Sequence, residues 1–547
     1  MTSSMPEVKP SFIYELFDSV VASTPLFSLP RYEAFLHSFR LIEALESNFS
    51  VQGRGLDAML LAARKYQDTK QHLIYLIYAK CPSGGRYTLT NKPHIEATIA
   101  AIEIAYSYSL VHSMIVGAEK GWGAFYFNEI KKELFFKYHD PVKSTHFFNK
   151  FSDRVSWETN NLQTLEADYP KLERLNLAIS QLADTVRITK EKELRFTTNP
   201  FIHTAIEEYL KIQLSKQYTL NDSWSLGPYL ISDFRSVWIQ LCKLSLFRSF
   251  AFLESVKKYG DYDPGYNNIL CRINKTELTQ FISKYTKLNG SVISEILSDL
   301  TYDPNIRFID IIQEPLVEMN KNDICFSPSM ILGSLIDRNL QVLLNKLPHR
   351  QKAYDVLKTF KEDLQIERIG SELTKREYQY RPKVILKEDH RLISEIDLLI
   401  WDKNTEGILI AQLKWFYGAD SVQEVFNHDA QYSEGIQKTK ISIEYLKRNY
   451  SSLAAKLNLQ TYKNPRIYGI IVSRTGTPSP YIDDPSFPVI EEEDFIGLIS
   501  KQSGNVDRLF YDINSHIASR KELPPVSESS IELKVGDYQF ILPALSF

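Results

Sequence analysis

The sequence predicts an α+β protein of several domains, in which a large all-α N-terminal region precedes a C-terminal α/β domain with a mixed sheet flanked by helices. Residues 11–300 repeat apolar side chains at three- and four-residue spacing, and residues 391–417 hold two apolar runs around a polar turn. The length of 547 residues also exceeds that of a usual single core. We expect four segments: a helical domain 1–300, a connector with a small hairpin and a helix 301–346, the α/β domain 347–512, and a C-terminal tail with a β-hairpin 513–547.

Composition and charge describe a globular chain without a strong electrostatic preference. Hydrophobic residues make up 44% and charged residues 24%, and the 31 Tyr and 30 Phe favour well-filled cores over disorder. The net charge of −3 excludes a protein-wide basic field but leaves room for a local basic groove. The four cysteines are widely scattered and show no metal-ligand spacing. A disulfide scaffold is not expected in a chain of this length, which favours a reducing interior; they are Cys81, Cys242, Cys271 and Cys325.

Two segments bear on localisation. The N-terminus, MTSSMPEVKPSF, lacks the charged-then-apolar pattern of a secretion signal. The longest apolar window, 95–116, contains Glu96, Glu103 and His112, which predicts a buried helix rather than a membrane span. We therefore expect a cytoplasmic protein without membrane contact.

The first 300 residues are predicted to be helical, with helices that include 124–138 and 164–189. The aromatic segments 125–127 and 135–136 are then buried by helical spacing rather than arranged for base stacking. The basic run 187–192 is predicted to lie on a solvated helix face rather than on a phosphate. This region supplies a scaffold, substrate selection or partner contact, and its sequence does not choose among them.

The pattern changes at Pro304, where the connector begins. Residues 308–312 and 316–319 look extended, and 324–326 is strand-like after a polar turn. A helix is predicted over 330–347. The connector therefore carries its own small hairpin.

A second predicted hairpin carries the chemistry. Apolar runs at 398–401 and 408–411 flank a polar turn, which predicts two paired strands. Side chains alternate along a strand, so Gln412 and Lys414 share a face, and pairing across the turn brings Asp397 to the same end of the sheet. A carboxylate, an amide oxygen and an ammonium group then converge, and such oxygen ligands suit Mg²⁺ or Mn²⁺.

This arrangement resembles the PD-(D/E)XK (restriction-endonuclease-like) nuclease superfamily over the last third of the chain. That fold places an acid on one strand and an acid-x-Lys triplet on the next, here Asp397 and Gln412-Leu413-Lys414, with glutamine in place of the second acid. The resemblance implies that Asp397 and Gln412 bind the metal, with the Leu413 carbonyl available, and that Lys414 stabilises the attacking water or the developing charge.

The segments around the hairpin fit the core order that the resemblance implies, helix–strand–strand–strand–helix–strand. Residues 378–386 are predicted to form an edge strand because of Pro382. Residues 466–472 form a continuous apolar run typical of a buried strand, and 488–490 a last short strand. In the predicted tail, 531–542 forms a hairpin about a Gly-Asp turn.

The helix before the site hairpin supplies a further candidate ligand. One of its apolar stripes includes Glu362, and the resembling fold places a glutamate from its first helix at the metal site. Glu367 and Glu372 compete for this role. The other interpretation is that Glu362 is solvated between Lys361 and Asp363.

A structural alternative exists for the hairpin as well. Asp397 could cap the hairpin end and pair with Lys414 across the strands, but a buried polar pair is costly without a function, which favours the metal site. Basic residues on the helix after the hairpin give either a phosphate contact or a solvated face; they are Lys438, Lys440, Lys447 and Arg448.

These observations lead to one expected function and two alternatives. We expect an Mg²⁺-dependent (or Mn²⁺-dependent) endonuclease that hydrolyses phosphodiester bonds, of DNA rather than RNA, as would suit restriction, repair or anti-phage defence. The first alternative is a catalytically degenerate nuclease-fold module that binds nucleic acid or a protein partner through the helical region. The second is a purely structural scaffold. A homodimer is compatible with each.

Overall fold

The protein is mixed α/β and forms two compact units. The structure, a computed structural model, describes residues 5–49, 66–144, 147, 169–190, 192–260, 266–306, 310–419, 421–457, 459, 462–474, 476, 478–482, 486–519 and 529–544. The first unit comprises Met1–Lys137, Asp153–Asp355 and Ser530–Ala544, and the second comprises Tyr138–Ser152, Val356–Ser529 and Leu545–Phe547. The predicted connector and the hairpin of the predicted tail thus fall within the first unit.

The first unit is built mainly of helices that bury apolar stripes against one another. One of them is Lys92–Glu119, which is capped by Asn91. By length and composition alone this helix could cross a membrane, but the core helices of proteins without membrane spans pass the same test. It packs against the helices Pro10–Ala22, Arg31–Phe49 and Gln67–Lys80. The described helices of this unit are α1 Pro10–Ala22, α2 Arg31–Phe49, α3 Gln67–Lys80, α4 Lys92–Glu119, α5 Tyr169–Thr185, α6 Pro200–Ser215, α7 Ile231–Tyr259, α8 Lys275–Thr286, α9 Gly290–Asp299, α10 Pro328–Leu332 and α11 Ile336–Lys346.

The first unit also contains strands, so the prediction of an all-α region is wrong. The predicted helix at 124–138 is two strands, β2 Gly123–Asn128 and β3 Glu133–Tyr138. Runs of aromatic side chains explain this outcome, because strands favour them. Along β3 burial alternates, with Leu134 and Phe136 buried. Phe125 and Phe136 are buried in contact, with ring centroids 4.8 Å apart.

A second correction concerns the basic run, which lies on a short hairpin and not on a helix. Helix α5 ends at Thr185, and β4 Arg187–Ile188 pairs with β5 Leu194–Arg195. Residues 164–168, at the start of the predicted helix, lie outside the described residues.

The connector is only partly as predicted. Its strands β7 Val317–Glu318 and β8 Asp323–Phe326 form the expected antiparallel hairpin, and β8 also pairs with β6 Cys271–Asn274. Ile311 and Ile312 lie in a turn rather than a strand, while 307–309 fall outside the described residues. The single helix predicted over 330–347 is two helices, α10 and α11, separated at Gly333.

A C-terminal hairpin completes the larger sheet of this unit. Strands β14 Ser529–Val535 and β15 Tyr538–Ala544 flank the predicted Gly-Asp turn, where Gly536 has a φ of +59°. β15 runs parallel to β3, and the sheet order is β1-β2-β3-β15-β14, with β1 at Glu7–Val8.

The second unit has the predicted order of helix, three strands, helix and strand. Its sheet order is β13-β12-β11-β10-β9, antiparallel from β9 to β11 and parallel from β11 to β13. β9 is at the sheet edge, as predicted from Pro382. The elements are α12 Gln351–Lys375, β9 Gln379–Glu388, β10 Arg391–Trp401, β11 Gly407–Lys414, α13 Val422–Leu457, β12 Arg466–Ser473, β13 Val489–Glu491, α14 Glu492–Ser500 and α15 Val506–Ser519.

Both faces of this sheet are covered. On one face, Leu398 and Leu409 belong to a core with α12, α14 and α15; on the other, Leu399 and Ile410 belong to a core with α13. The close approach of α13 to β12 depends on Gly469, where an added Cβ would lie 2.4 Å from Cγ2 of Thr439.

The turn between β10 and β11 is fixed by the fully buried Asp402. Its carboxylate accepts hydrogen bonds from the backbone N–H groups of Asn404 and Thr405, both at 2.6 Å, and from that of Val506 at 2.7 Å. An aspartate that accepts from the following backbone N–H groups closes a tight turn. The bond to Val506 also ties that turn to α15.

Candidate functional site

The structure brings Asp397, Gln412 and Lys414 to one end of the second unit's sheet. Leu398 pairs with Ala411, so Asp397 and Gln412 lie one residue beyond the last ladder pair of β10 and β11. One carboxylate oxygen of Asp397, Oδ2, accepts a hydrogen bond from Nε2 of Gln412 and a second, at 2.7 Å, from the backbone N–H of Leu413. The predicted convergence of the two strands is therefore present.

Asp397 is an unusual carboxylate for a strand interior. It is 8% exposed, and burial raises its pKa from 3.8 to about 6. The hydrogen bond from Leu413 and the charge of Lys414 oppose this rise, whereas the negative charges of Glu362 and Glu395 add to it. Near neutral pH the carboxylate is therefore mostly ionised, but at a cost that a cation would offset.

Lys414 lies close to this carboxylate without being joined to it. Within the described residues no ion pair joins Lys414 to Asp397, and their interaction is electrostatic at longer range. Burial lowers the pKa of Lys414, and the neighbouring charges of Glu434 and Lys438 act in opposite directions. The alternative of a simple cross-strand ion pair is thus not what the structure contains.

Helix α13 leaves a space for the Lys414 side chain. A Cβ added at Gly435 would lie 3.2 Å from Cε of Lys414 and 3.7 Å from Cγ of Gln412. Both side chains therefore point to the α13 face of the sheet, as alternation along β11 predicts.

Glu362 is the acidic residue of α12 that interacts electrostatically with Asp397. Its Oε1 lies 3.5 Å from Nζ of Lys383, and its side chain is 37% exposed, so it is neither buried nor fully solvated. Of its predicted competitors, Glu367 is exposed, and Glu372 pairs with Lys375 and Arg376 at the end of the helix. Glu362 is the candidate best placed to join the site.

Two residues near the site were not predicted from the sequence. Lys383 links β9 to α12 through Glu362 and Asp363, and Gly435 provides the space beside Lys414. A lysine on an exposed strand and a glycine within a helix are common, and neither carries a motif. Lys383 is distinguished only in the structure, where its backbone φ is +51°, a value that few non-glycine residues adopt.

The basic residues of α13 are divided between ion pairs and solvent. Lys438 pairs with Glu434 at 2.8 Å, and Arg448 approaches Glu444 at 3.6 Å. Lys440 lies 5.3 Å from the centroid of the Phe487 ring, and Lys447 is exposed. Contact of these residues with phosphate stays a prediction.

The donor set fits a magnesium-like ion that also requires substrate oxygens. Among the described residues, no group of three or more His, Cys, Asp and Glu is arranged to hold a metal. Mg²⁺, however, is commonly bound through one or two carboxylates together with water and substrate phosphate. Asp397 and Glu362 could supply two carboxylates to such an ion, and the Gln412 amide and Leu413 carbonyl could supply neutral oxygens.

The chain as a whole matches no protein-family model, no curated protein and no solved structure.

Proposed function

We propose that the protein is a metal-dependent nuclease of the PD-(D/E)XK type that hydrolyses phosphodiester bonds, with DNA the favoured substrate over RNA. The observation that carries this proposal is the buried carboxylate of Asp397, which accepts hydrogen bonds from Gln412 and Leu413 beside a half-buried Lys414. A buried acid with a raised pKa next to a lysine with a lowered pKa is typical of a reactive site.

Each side chain has a distinct role in this proposal. Asp397 and Glu362 would hold the ion, and the Gln412 amide would contribute a neutral oxygen. A bound ion would supply positive charge that polarises the phosphate and lowers the pKa of water. Lys414 stabilises the negative charge that develops on the phosphate oxygens. Because Gln412 brings no charge, more of the ion's affinity comes from substrate phosphate than in a site with a second acid.

The test is cleavage of plasmid DNA by the purified protein with Mg²⁺. We expect Lys414→Ala to lower the rate about 100-fold or more, since removal of one group that stabilises the developing charge costs about this much. Lys456→Ala, which removes an exposed lysine in the last turn of α13, serves as the matched control and should cleave at the wild-type rate. Equal cleavage by wild type and Lys414→Ala would remove this site from the mechanism.

The alternative function is a nuclease fold without chemistry, which binds nucleic acid or a protein partner. The hydrogen bond from Gln412 to Asp397 favours it, because this bond satisfies the carboxylate without any ion. Gln412→Glu discriminates between the two functions. If only this variant cleaves, the natural chain is a binding module; if wild type cleaves as well, glutamine is compatible with catalysis. We propose restriction, repair or anti-phage defence as the biological setting of the nuclease activity. A protein partner of the helical region and a homodimer are also part of the proposal.

A further inference from the structure

Lys383 occupies a strained position in the middle of an edge strand. Its φ of +51° is in the left-handed region, where β-strand residues are rarely found. The ladder pairs on either side are Pro382 with Leu398 and Val384 with Ile396, so Lys383 and Asp397 occupy the facing positions between them. Backbone strain of this kind persists when surrounding structure enforces it and is concentrated at functional sites.

The bend in β9 directs the lysine toward α12. Nζ of Lys383 lies 2.7 Å from Oδ1 of Asp363 and 3.5 Å from Oε1 of Glu362. Lys383 donates the hydrogen bond to Asp363, and the two side chains form an ion pair. Its side chain is 39% exposed, so a ligand in solution can reach the ammonium group.

The charges around the site are unbalanced in a way that a divalent cation would correct. Among the described residues linked to Asp397, Lys414 or Lys383 by an ion pair or electrostatic interaction, there are two more carboxylates than amines. Without a cation, this surplus disfavours the approach of a phosphate. The carboxylates are Glu362, Asp363, Glu395, Asp397 and Glu434, and the amines are Lys383, Lys414 and Lys438.

We infer that Lys383 is a phosphate-binding residue, contacting a backbone phosphate of the nucleic acid next to the one that is cleaved. This inference rests on the proposed function, because it assigns Glu362 to the cation. Once Glu362 is engaged there, Lys383 keeps Asp363 as its partner, and its partly exposed ammonium group has further N–H donors for a phosphate. Lys383 and Lys414 then act on different phosphates, the first in binding and the second in the chemical step.

The inference is tested by the salt dependence of binding to a DNA duplex, measured by gel shift with Mg²⁺. All variants carry Lys414→Ala to slow cleavage, and a denaturing gel verifies that the duplex is intact. Loss of one phosphate contact should reduce the slope of log K against log salt by about 0.9. We expect this reduction for Lys383→Ala, a near-parental slope for Lys383→Arg, and no change for the control Lys387→Ala, an exposed lysine on the same strand.

A second variant separates binding from folding. Lys383→Gly removes the charge but also relieves the strain, so it should melt at a higher temperature than Lys383→Ala while showing the same reduced slope. An unchanged slope in both variants overturns the role of Lys383 and leaves the proposed function intact. Absence of any shift for the parent protein at low salt overturns the proposed function together with this inference.

Discussion

At the scale of single residues, Asp397 is a buried carboxylate whose ionised form destabilises the folded protein. Its neighbours supply two hydrogen bonds, yet burial still raises its pKa to about 6. An apolar or neutral residue at this position would not bear that cost. Sites that bind ions commonly retain such destabilising groups, because the ligand offsets them when it binds.

Replacing Asp397 with asparagine is expected to stabilise the protein near neutral pH. The folded and ordinary pKa values, about 6 and 3.8, differ by about two pH units, which corresponds to about 3 kcal/mol at most. Because folding raises this pKa, the contribution of Asp397 to stability is most favourable below the ordinary value and becomes less favourable as the pH rises through about 6. Urea unfolding should therefore show a gain for Asp397→Asn near pH 8 that disappears near about pH 3. Equal stability of the two proteins at every pH would contradict the burial cost.

Gly435 is expected to be needed for activity and not for stability. Gly435→Ala places a Cβ 3.2 Å from Cε of Lys414, so the lysine must move, while the helix gains about 0.5–1 kcal/mol of propensity. We expect cleavage to fall about tenfold, or 1.4 kcal/mol in the barrier, with unfolding free energy unchanged or slightly higher. Gly497→Ala in α14 is the matched control, since nothing lies within 4 Å of its added Cβ. It should stabilise the protein and leave cleavage at the wild-type rate; similar loss in both variants would argue against a role for the space beside Lys414.

The difference between predictable and unpredictable site residues has a physical basis. Asp397, Gln412 and Lys414 could be placed together from sequence because strand alternation and a short turn determine which side chains meet. Lys383 and Gly435 depend on a local backbone bend and on the approach of a helix, which are consequences of tertiary packing. Glu362 falls between these cases, since its stripe on α12 was predictable but its partner Lys383 was not.

At the scale of elements, periodicity identified the second unit's core well and part of the first unit poorly. The β10–β11 hairpin, the edge strand β9 and the buried strand β12 all occur where their patterns predict them. The strands β2 and β3 were mistaken for a helix, because short aromatic runs satisfy both periodicities and length alone did not decide between them. The pairing of β3 with β15, a strand from the far end of the chain, is a long-range contact that no local pattern contains.

The contact between β12 and α13 is expected to be sensitive to a single methyl group. Gly469→Ala would place a Cβ 2.4 Å from Cγ2 of Thr439, closer than any real contact, so the helix must shift. We expect a loss of about 1–3 kcal/mol in unfolding free energy, the usual cost of overpacking.

Adding Thr439→Ser removes that methyl group and should recover part of the loss, because the serine hydroxyl can keep the hydrogen bond to the Gly435 carbonyl. Recovery is expected to be partial, since Phe487 and Ile443 also lie 3.0 and 3.1 Å from the added Cβ. Thr439→Ser alone provides the reference for the double variant. No recovery at all would mean that the helix is not held away by this contact.

At the scale of the whole molecule, the first unit depends on residues from distant parts of the chain. Strand β15 adds three parallel pairs to β3, and Phe540 is fully buried 5.2 Å from the ring of Phe17. Helix α1 and the C-terminal hairpin therefore share one core, although most of the second unit, Val356–Ser529, lies between them in sequence.

Truncation of Phe540 is expected to destabilise the first unit. Phe540→Ala removes a fully buried aromatic side chain and should cost about 3–5 kcal/mol. Ile541→Ala, at a half-buried position on the same strand, should cost less and serves as the control. Hydrogen exchange followed separately for the two units should show lower protection in the first unit for Phe540→Ala. Equal exchange of both units would indicate that β15 contributes little to the first core.

The return of β15 to β3 also affects how the protein acquires its structure during synthesis. Lys132, next to β3, and Asp537, next to β15, form an ion pair although they are 405 residues apart. A ribosome must therefore translate the second unit before the first can close its sheet, so the usual N-to-C order of domain folding does not apply here. Until then the edge of β3 that pairs with β15 stays unpaired on the nascent chain, and an unpaired edge is a site at which another chain can pair.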